Sequence, residues 1–141
     1  MRSSSGRDHI LAVGSTEELY GIPGLPFIPA VRVTGSHELV FVSGVLGPAT
    51  KEDSSMTMDA EVRRAYRNLE RVLNQAGGTL ADVVSMTKYV KDIANNNRIV
   101  EAVTKEQLPH LTTTTTVEIA RLVPEDLRFE VSAIAAVRIA P

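Results

Sequence analysis

Between Met58 and Ala76 apolar residues recur at intervals of three and four: Val62, Ala65, Tyr66, Leu69, Val72, Leu73 and Ala76. At 3.6 residues per turn they form one stripe of an amphipathic helix, which must be buried against another layer. Asp59 and Glu61 in the first turn complement the helix dipole, and Gly77-Gly78 ends the element. The covering layer has to come from the β-branched segments on either side.

Those segments are readable. Ala30–Val33 and Glu38–Ser43, separated by the turn Thr34-Gly35-Ser36-His37, predict a β-hairpin. Val83–Val90 predicts a strand. Asn95-Asn96-Asn97 offers N-caps to a second helix over about Arg98–Gln107, stopped by Pro109. Thr112–Leu122 and Leu127–Ile139 predict two closing strands. The expected order is β-β-α-β-α-β-β: an α+β, two-layer domain with both helices on one face of a mixed sheet. The sheet's other face then needs a partner, so self-association is expected. Residues 1–20 show no periodicity and read as a flexible N-terminal extension, with residues 21–141 as the domain. The Ser-rich start with Arg2 and Arg7 has some character of a transit peptide, interrupted early by Asp8.

The 141 residues suffice for one substantial core. A net charge of −2 argues against a protein that neutralises nucleic-acid phosphates. No apolar run reaches the roughly 18–20 residues of a membrane span. With no cysteine there is no thiolate nucleophile or Cys-based zinc site, and a reducing cytoplasm is a compatible location. His9, His37 and His110 fall in tail, turn and loop without metal-ligand spacing and read as surface residues; no metal or cofactor is expected.

Three groups of residues carry a resemblance. Pro29–Val33 with Leu39–Gly44 comes first. Asn68–Gly77 with Asp82-Val83-Val84 is the second, and Val117–Leu122 with Phe129–Ala135 the third. In this order and spacing the chain resembles the RidA/YjgF/YER057c/UK114 family. The resemblance implies a chorismate-mutase-like fold, a homotrimer, and small-molecule pockets at the subunit interfaces. In deaminating members, which hydrolyse 2-imino acids such as 2-iminopropionate, an arginine three residues before the Val-Glu-Ile/Val segment grips the substrate carboxylate through two parallel hydrogen bonds. That position here is Thr114, and Thr112–Thr116 offers no arginine nearby.

Strand alternation groups Thr114, Thr116 and Glu118 on one face and Thr113, Thr115, Val117 and Ile119 on the other. The second set contains the aliphatic pair and is expected to face the helices, leaving Thr114 and Thr116 to line the pocket. A threonine run is equally a good strand with hydroxyls bonded to backbone. Glu130 matches the family's pocket glutamate, which would hold or deprotonate a water. An isolated strand glutamate can also be merely ion-paired. Ser43-Gly44 matches the pocket-lining Ser-Gly, and Phe27 falls where many relatives carry a tyrosine. Val100 or Glu101 falls at the helix position where relatives often carry a polar asparagine. Arg121 is the obvious replacement cation, although relatives already carry an arginine there; Lys88 and Arg98 are others. The resulting expectation is an enzyme hydrolysing or tautomerising an imine, enamine or related carbonyl compound, poor on 2-iminopropionate. The alternative is a non-catalytic ligand-binding or regulatory protein, and a ribonuclease ranks last.

Overall fold

A computed structural model describes residues 7–108, 110 and 112–139. In chain order the elements are β1 (Ile10–Ala12), α1 (Thr16–Tyr20), β2 (Val31–Val33), β3 (His37–Leu46), α2 (Met58–Gln75), β4 (Val83–Lys91), α3 (Ile93–Gln107), β5 (Thr113–Ile119) and β6 (Phe129–Arg138). The seven expected elements are present, preceded by β1 and α1.

The main sheet has the order β3-β6-β4-β5. β6 runs antiparallel to both β3 and β4, whereas β4 and β5 are parallel and joined through α3. The expected hairpin between β2 and β3 does not form. β2 pairs instead with β1, Ile10 opposite Val33, and β3 pairs with β6 at the far end of the sequence. Local turn chemistry marked the bend at Gly35, but the apolar pattern of β3 found its partner in β6.

Helix α2 starts where Thr57 Oγ1 accepts the Ala60 N–H at 3.2 Å. It ends in a left-handed Gly77 (φ 80°), with Gly77 N–H donating to Asn74 O and Gly78 N–H to Leu73 O. This pair of bonds is the Schellman arrangement and requires the positive φ that glycine tolerates. Val62, Ala65, Tyr66, Leu69 and Leu73 are fully buried against the sheet with Val83, Val90, Phe129 and Val131. Each large side chain among them contributes roughly 1.5–3 kcal/mol relative to exposure. Val72, counted in the stripe, is 43% exposed at its edge. Tyr66 OH meets Thr104 Oγ1 at 2.6 Å, tying α2 to α3.

Two buried charges fasten loops onto α2. The Glu61 carboxylate accepts the backbone N–H of Arg128 (2.6 Å) and Phe129 (2.9 Å) and the Arg128 guanidinium (3.1 Å), fixing the start of β6. Arg64 donates to Gly47 O, Asp53 Oδ1 and Ser55 O, folding the polar loop after β3 along the helix.

Helix α3 begins five residues earlier than its asparagines suggested. Its N-cap Asp92 is left-handed (φ 49°) and makes no side-chain cap bond. Glu118 Oε2 on β5 accepts the Ile93 N–H at 3.0 Å instead, a cap supplied from a distant strand.

The described part of the amino-terminal segment is not a free extension. Arg7 donates to Ala81 O and Val83 O, and buried His9 meets Ala136 O through Nε2 at 2.7 Å. Ile10, Val31 and Val33 pack on Val84 and Ala136, so the β1–β2 ribbon covers one end of the sheet opposite the helices. His9 is therefore interior rather than a surface histidine; residues 1–6 lie outside the described region.

Candidate functional site

A cleft runs between α3 and the β4–β5 edge, roofed by Gly24–Phe27. Ile28 N–H donates to Thr112 O at 3.2 Å and holds this roof down. One lobe, about 370 Å³, is mainly apolar, with Leu25, Pro26, Met86, Ala102 and Leu108 in its walls. The other, about 270 Å³, is polar and is lined by Phe27, Lys88, Asn97, Glu101, Thr114 and Thr116. Pro26, Glu101 and Thr114 belong to both lobes, making them continuous.

The parallel register decides which threonines reach this cleft. Met86 lies opposite Thr114, Lys88 opposite Thr116 and Val90 opposite Glu118. Paired residues share a face, and Met86 and Val90 belong to the core beneath the helices. Thr114, Thr116 and Glu118 therefore face the helix layer, the reverse of the expected parity. β5 is an edge strand whose helix-side surface lines a cleft rather than filling the core, so that surface is polar. Its aliphatic side chains are displaced to the open face, where Val117 is 37% exposed.

Glu130, Ser43 and Gly44 lie elsewhere. The ladder between β3 and β6 shifts register between Val42 and Val45, so Ser43-Gly44 forms a bulge. A Cβ on Gly44 would stand 2.5 Å from the Glu130 carboxyl carbon, which places that carboxylate directly over the glycine. Glu130 is half-buried, opposite Tyr89 across the ladder, and alternates with the core-facing Phe129 and Val131. The structure thus brings Phe27, Thr114 and Thr116 together in the cleft, and gathers Glu130 and Gly44, with adjoining Ser43, on the opposite sheet face. One chain alone does not combine the two sets.

Of the candidate cations, Arg121 is exposed and paired with Glu125 at 2.7 Å, away from the cleft. Lys88 is the one that lines it. Its side chain is 1% exposed, and Nζ donates to Glu101 Oε1 at 2.5 Å. Thr114 Oγ1, Asn97 Oδ1 and His110 Nε2 are buried without hydrogen-bond partners among the described residues, and all three residues line the cleft. Burial, with a smaller contribution from Arg7, pushes the His110 imidazole down to about 4, so it is neutral at pH 7. Val100, the other residue at the polar helix position, is fully buried in the core, whereas Glu101 reaches the cleft. The readable signal for Lys88 was a charge in the alternating series Met86-Lys88-Val90; Glu101 was marked only as one of two residues at the polar helix position, and nothing in the sequence paired it with Lys88. Among the described residues no three His, Asp or Glu side chains converge as metal ligands, and no helix is long and apolar enough to cross a membrane.

A family model described as endoribonuclease L-PSP matches residues 23–137. The chain belongs to the Rid (YjgF/YER057c/UK114) family. Among Rid relatives, a RutC family protein of Haemophilus influenzae is 35% identical over 113 residues, covering 76% of this chain and 85% of its own. The 2-iminobutanoate/2-iminopropanoate deaminase of Salmonella typhimurium is 30% identical, with 76% and 86% covered. A YjgF/YER057c/UK114 family structure from Mycobacterium tuberculosis is 34% identical with a TM-score of 0.63, covering 91% of this chain and 98% of that one. A Rid protein from Yersinia pestis superposes with a TM-score of 0.75 at 22% identity over 90% and 98%, a likeness of fold. These structures share this chain's mixed α+β fold.

Proposed function

We propose that this Rid-family chain is a small-molecule enzyme that hydrolyses or tautomerises an imine, enamine or related carbonyl compound. The observation that carries this reading is the pairing of a retained acid/base with an altered grip. Glu130 stands over Gly44 with a carboxylate that takes no hydrogen bond or ion pair among the described residues, free to hold a water. The position that grips a substrate carboxylate in deaminating relatives carries Thr114, whose hydroxyl lacks a partner among the described residues.

The two half-sites meet if copies of the chain associate through the open sheet face. That face exposes Phe41 (67%) and Leu39 (54%) on β3, with Val117 and Ile134 on other strands. A homotrimer would bury these side chains and carry Glu130 of one copy to the Thr114 cleft of another. Sedimentation should give a mass near three times 15.3 kDa, and Phe41→Glu should dissociate it.

The deciding experiment presents imines generated in place by an amino-acid oxidase, beside enamines and carbonyl compounds without a free carboxylate. Turnover is expected for a member of the second group. For 2-iminopropionate, loss of a bidentate arginine contact worth about 2–4 kcal/mol predicts rates roughly ten- to a thousandfold below an arginine-bearing relative. Glu130→Gln should abolish turnover, because an amide cannot take the proton. Tight retention of a compound without turnover would instead establish a binding protein.

A further inference from the structure

Lys88 stands in a strand whose neighbours on the same face, Met86 and Val90, are core residues. An ammonium has three donors, yet Nζ makes one hydrogen bond among the described residues, to Glu101 Oε1 at 2.5 Å. Glu101 remains partly open to the cleft, its side chain 29% exposed. In the same cleft, Thr114 Oγ1 from β5 and Asn97 Oδ1 from α3 are buried and have no hydrogen-bond partner among the described residues. Orphaned buried polar atoms are costly in a finished core, so three such incompletely satisfied groups in one cavity mark a place that a ligand completes.

We propose that Lys88 is a covalent nucleophile whose amine forms a Schiff base with the carbonyl carbon of a small ketone or 2-oxo compound, with Glu101 as its proton partner. This rests on the cleft being the ligand site, not on Glu130. Glu101 takes one proton from the ammonium across their hydrogen bond. The freed amine adds to the carbonyl carbon, forming the C–N bond as the C=O π bond opens onto oxygen, and one proton passes from nitrogen to that oxygen to give a carbinolamine. Glu101 returns its proton to the departing oxygen, water leaves, and the C=N bond closes. With a substrate imine the same attack expels ammonia in place of water. One water then hydrolyses the lysine-bound imine, restoring Lys88 and releasing the carbonyl compound, so the sum is imine plus water giving carbonyl plus ammonia. Buried lysines beside a proton acceptor are suited to this chemistry. A covalent bond would also hold a ligand in a cleft that lacks the guanidinium grip.

The test incubates the full chain at pH 7 with pyruvate, and separately with acetone, in the presence of sodium cyanoborohydride, followed by intact-mass measurement and peptide mapping. Solvated lysines are almost wholly protonated at that pH and react slowly. One reduced adduct per chain, mapped to Lys88, is expected. Lys88→Met should lose it, and Glu101→Gln should form it at least tenfold more slowly. Should Lys88→Met fail to fold, the peptide map of the wild-type chain still decides. No adduct, or adducts on Lys51, Lys91 or Lys105 with Lys88 untouched, would make Lys88–Glu101 a structural ion pair and overturn the proposal. Imine turnover without a Lys88 adduct leaves the hydrolase reading standing and removes this one; an adduct without turnover does the opposite.

Discussion

Gly44 and Glu130 are packed so closely that a single Cβ on the glycine would stand 2.5 Å from the glutamate's carboxyl carbon. The bulge at Ser43-Gly44 and the carboxylate are therefore one unit. Gly44→Ala should fold but push Glu130 aside, costing about 1–3 kcal/mol of stability and at least tenfold in imine turnover. Thermal melts should show most of the stability return in Gly44→Ala/Glu130→Ala, because the second change removes the clash. Additive losses in this double-mutant cycle would mean that the two residues do not press on each other.

Thr114→Arg tests the cleft from the other side. Thr114 faces α3, but it lines a cavity rather than filling packed core, so the guanidinium has room beside Glu101. The variant is expected to fold and to gain measurable 2-imino-acid hydrolysis, short of a natural deaminase because Phe27 has no hydroxyl. Adding Glu130→Gln should erase the gain. A soluble variant with no gain would mean that more than one residue separates this cleft from a deaminase pocket.

Glu61 holds the entry to β6 through two backbone N–H groups and is 2% exposed. Replacement by glutamine keeps one acceptor oxygen and presents an NH₂ to a donor. A loss of about 1–3 kcal/mol is expected, read as a lower denaturant midpoint at unchanged slope.

His110 gives the stability a pH dependence. Its folded value near 4 lies below the unfolded value of 6.5, so the unfolded chain binds more protons between the two. Stability should therefore fall as pH drops from about 6.5 towards 4 and be unaffected by this group above that window. Water still reaches much of the ring, so the discounted effect is on the order of 1 kcal/mol. The difference between wild type and His110→Asn, melted across the same pH series, isolates it; a difference independent of pH would contradict the assignment.

The α2 stripe, its cap at Thr57 and its stop at Gly77 were legible because each is settled by residues within one or two turns. The strand segments were legible for the same reason, through β-branching and alternation. The position of the missing arginine and the choice of Glu130 came instead from the resemblance to deaminating relatives, since nothing in the local pattern marks either residue.

Pairing was another matter. Whether β2 joins β3 or β1, and whether Thr114 looks at the helices or away, depends on which strand lies alongside. A period of two fixes two faces without saying which is inside. Here the partners are residues far apart in sequence: Met86 beside Thr114, Glu118 capping Ile93, Lys88 against Glu101. The sequence by itself determined the elements and the chemical groups available, since those follow from local periodicity and residue type. Only the tertiary structure decided that a lysine and a glutamate thirteen positions apart meet at 2.5 Å in a cleft, because burial and proximity arise from packing of the whole chain.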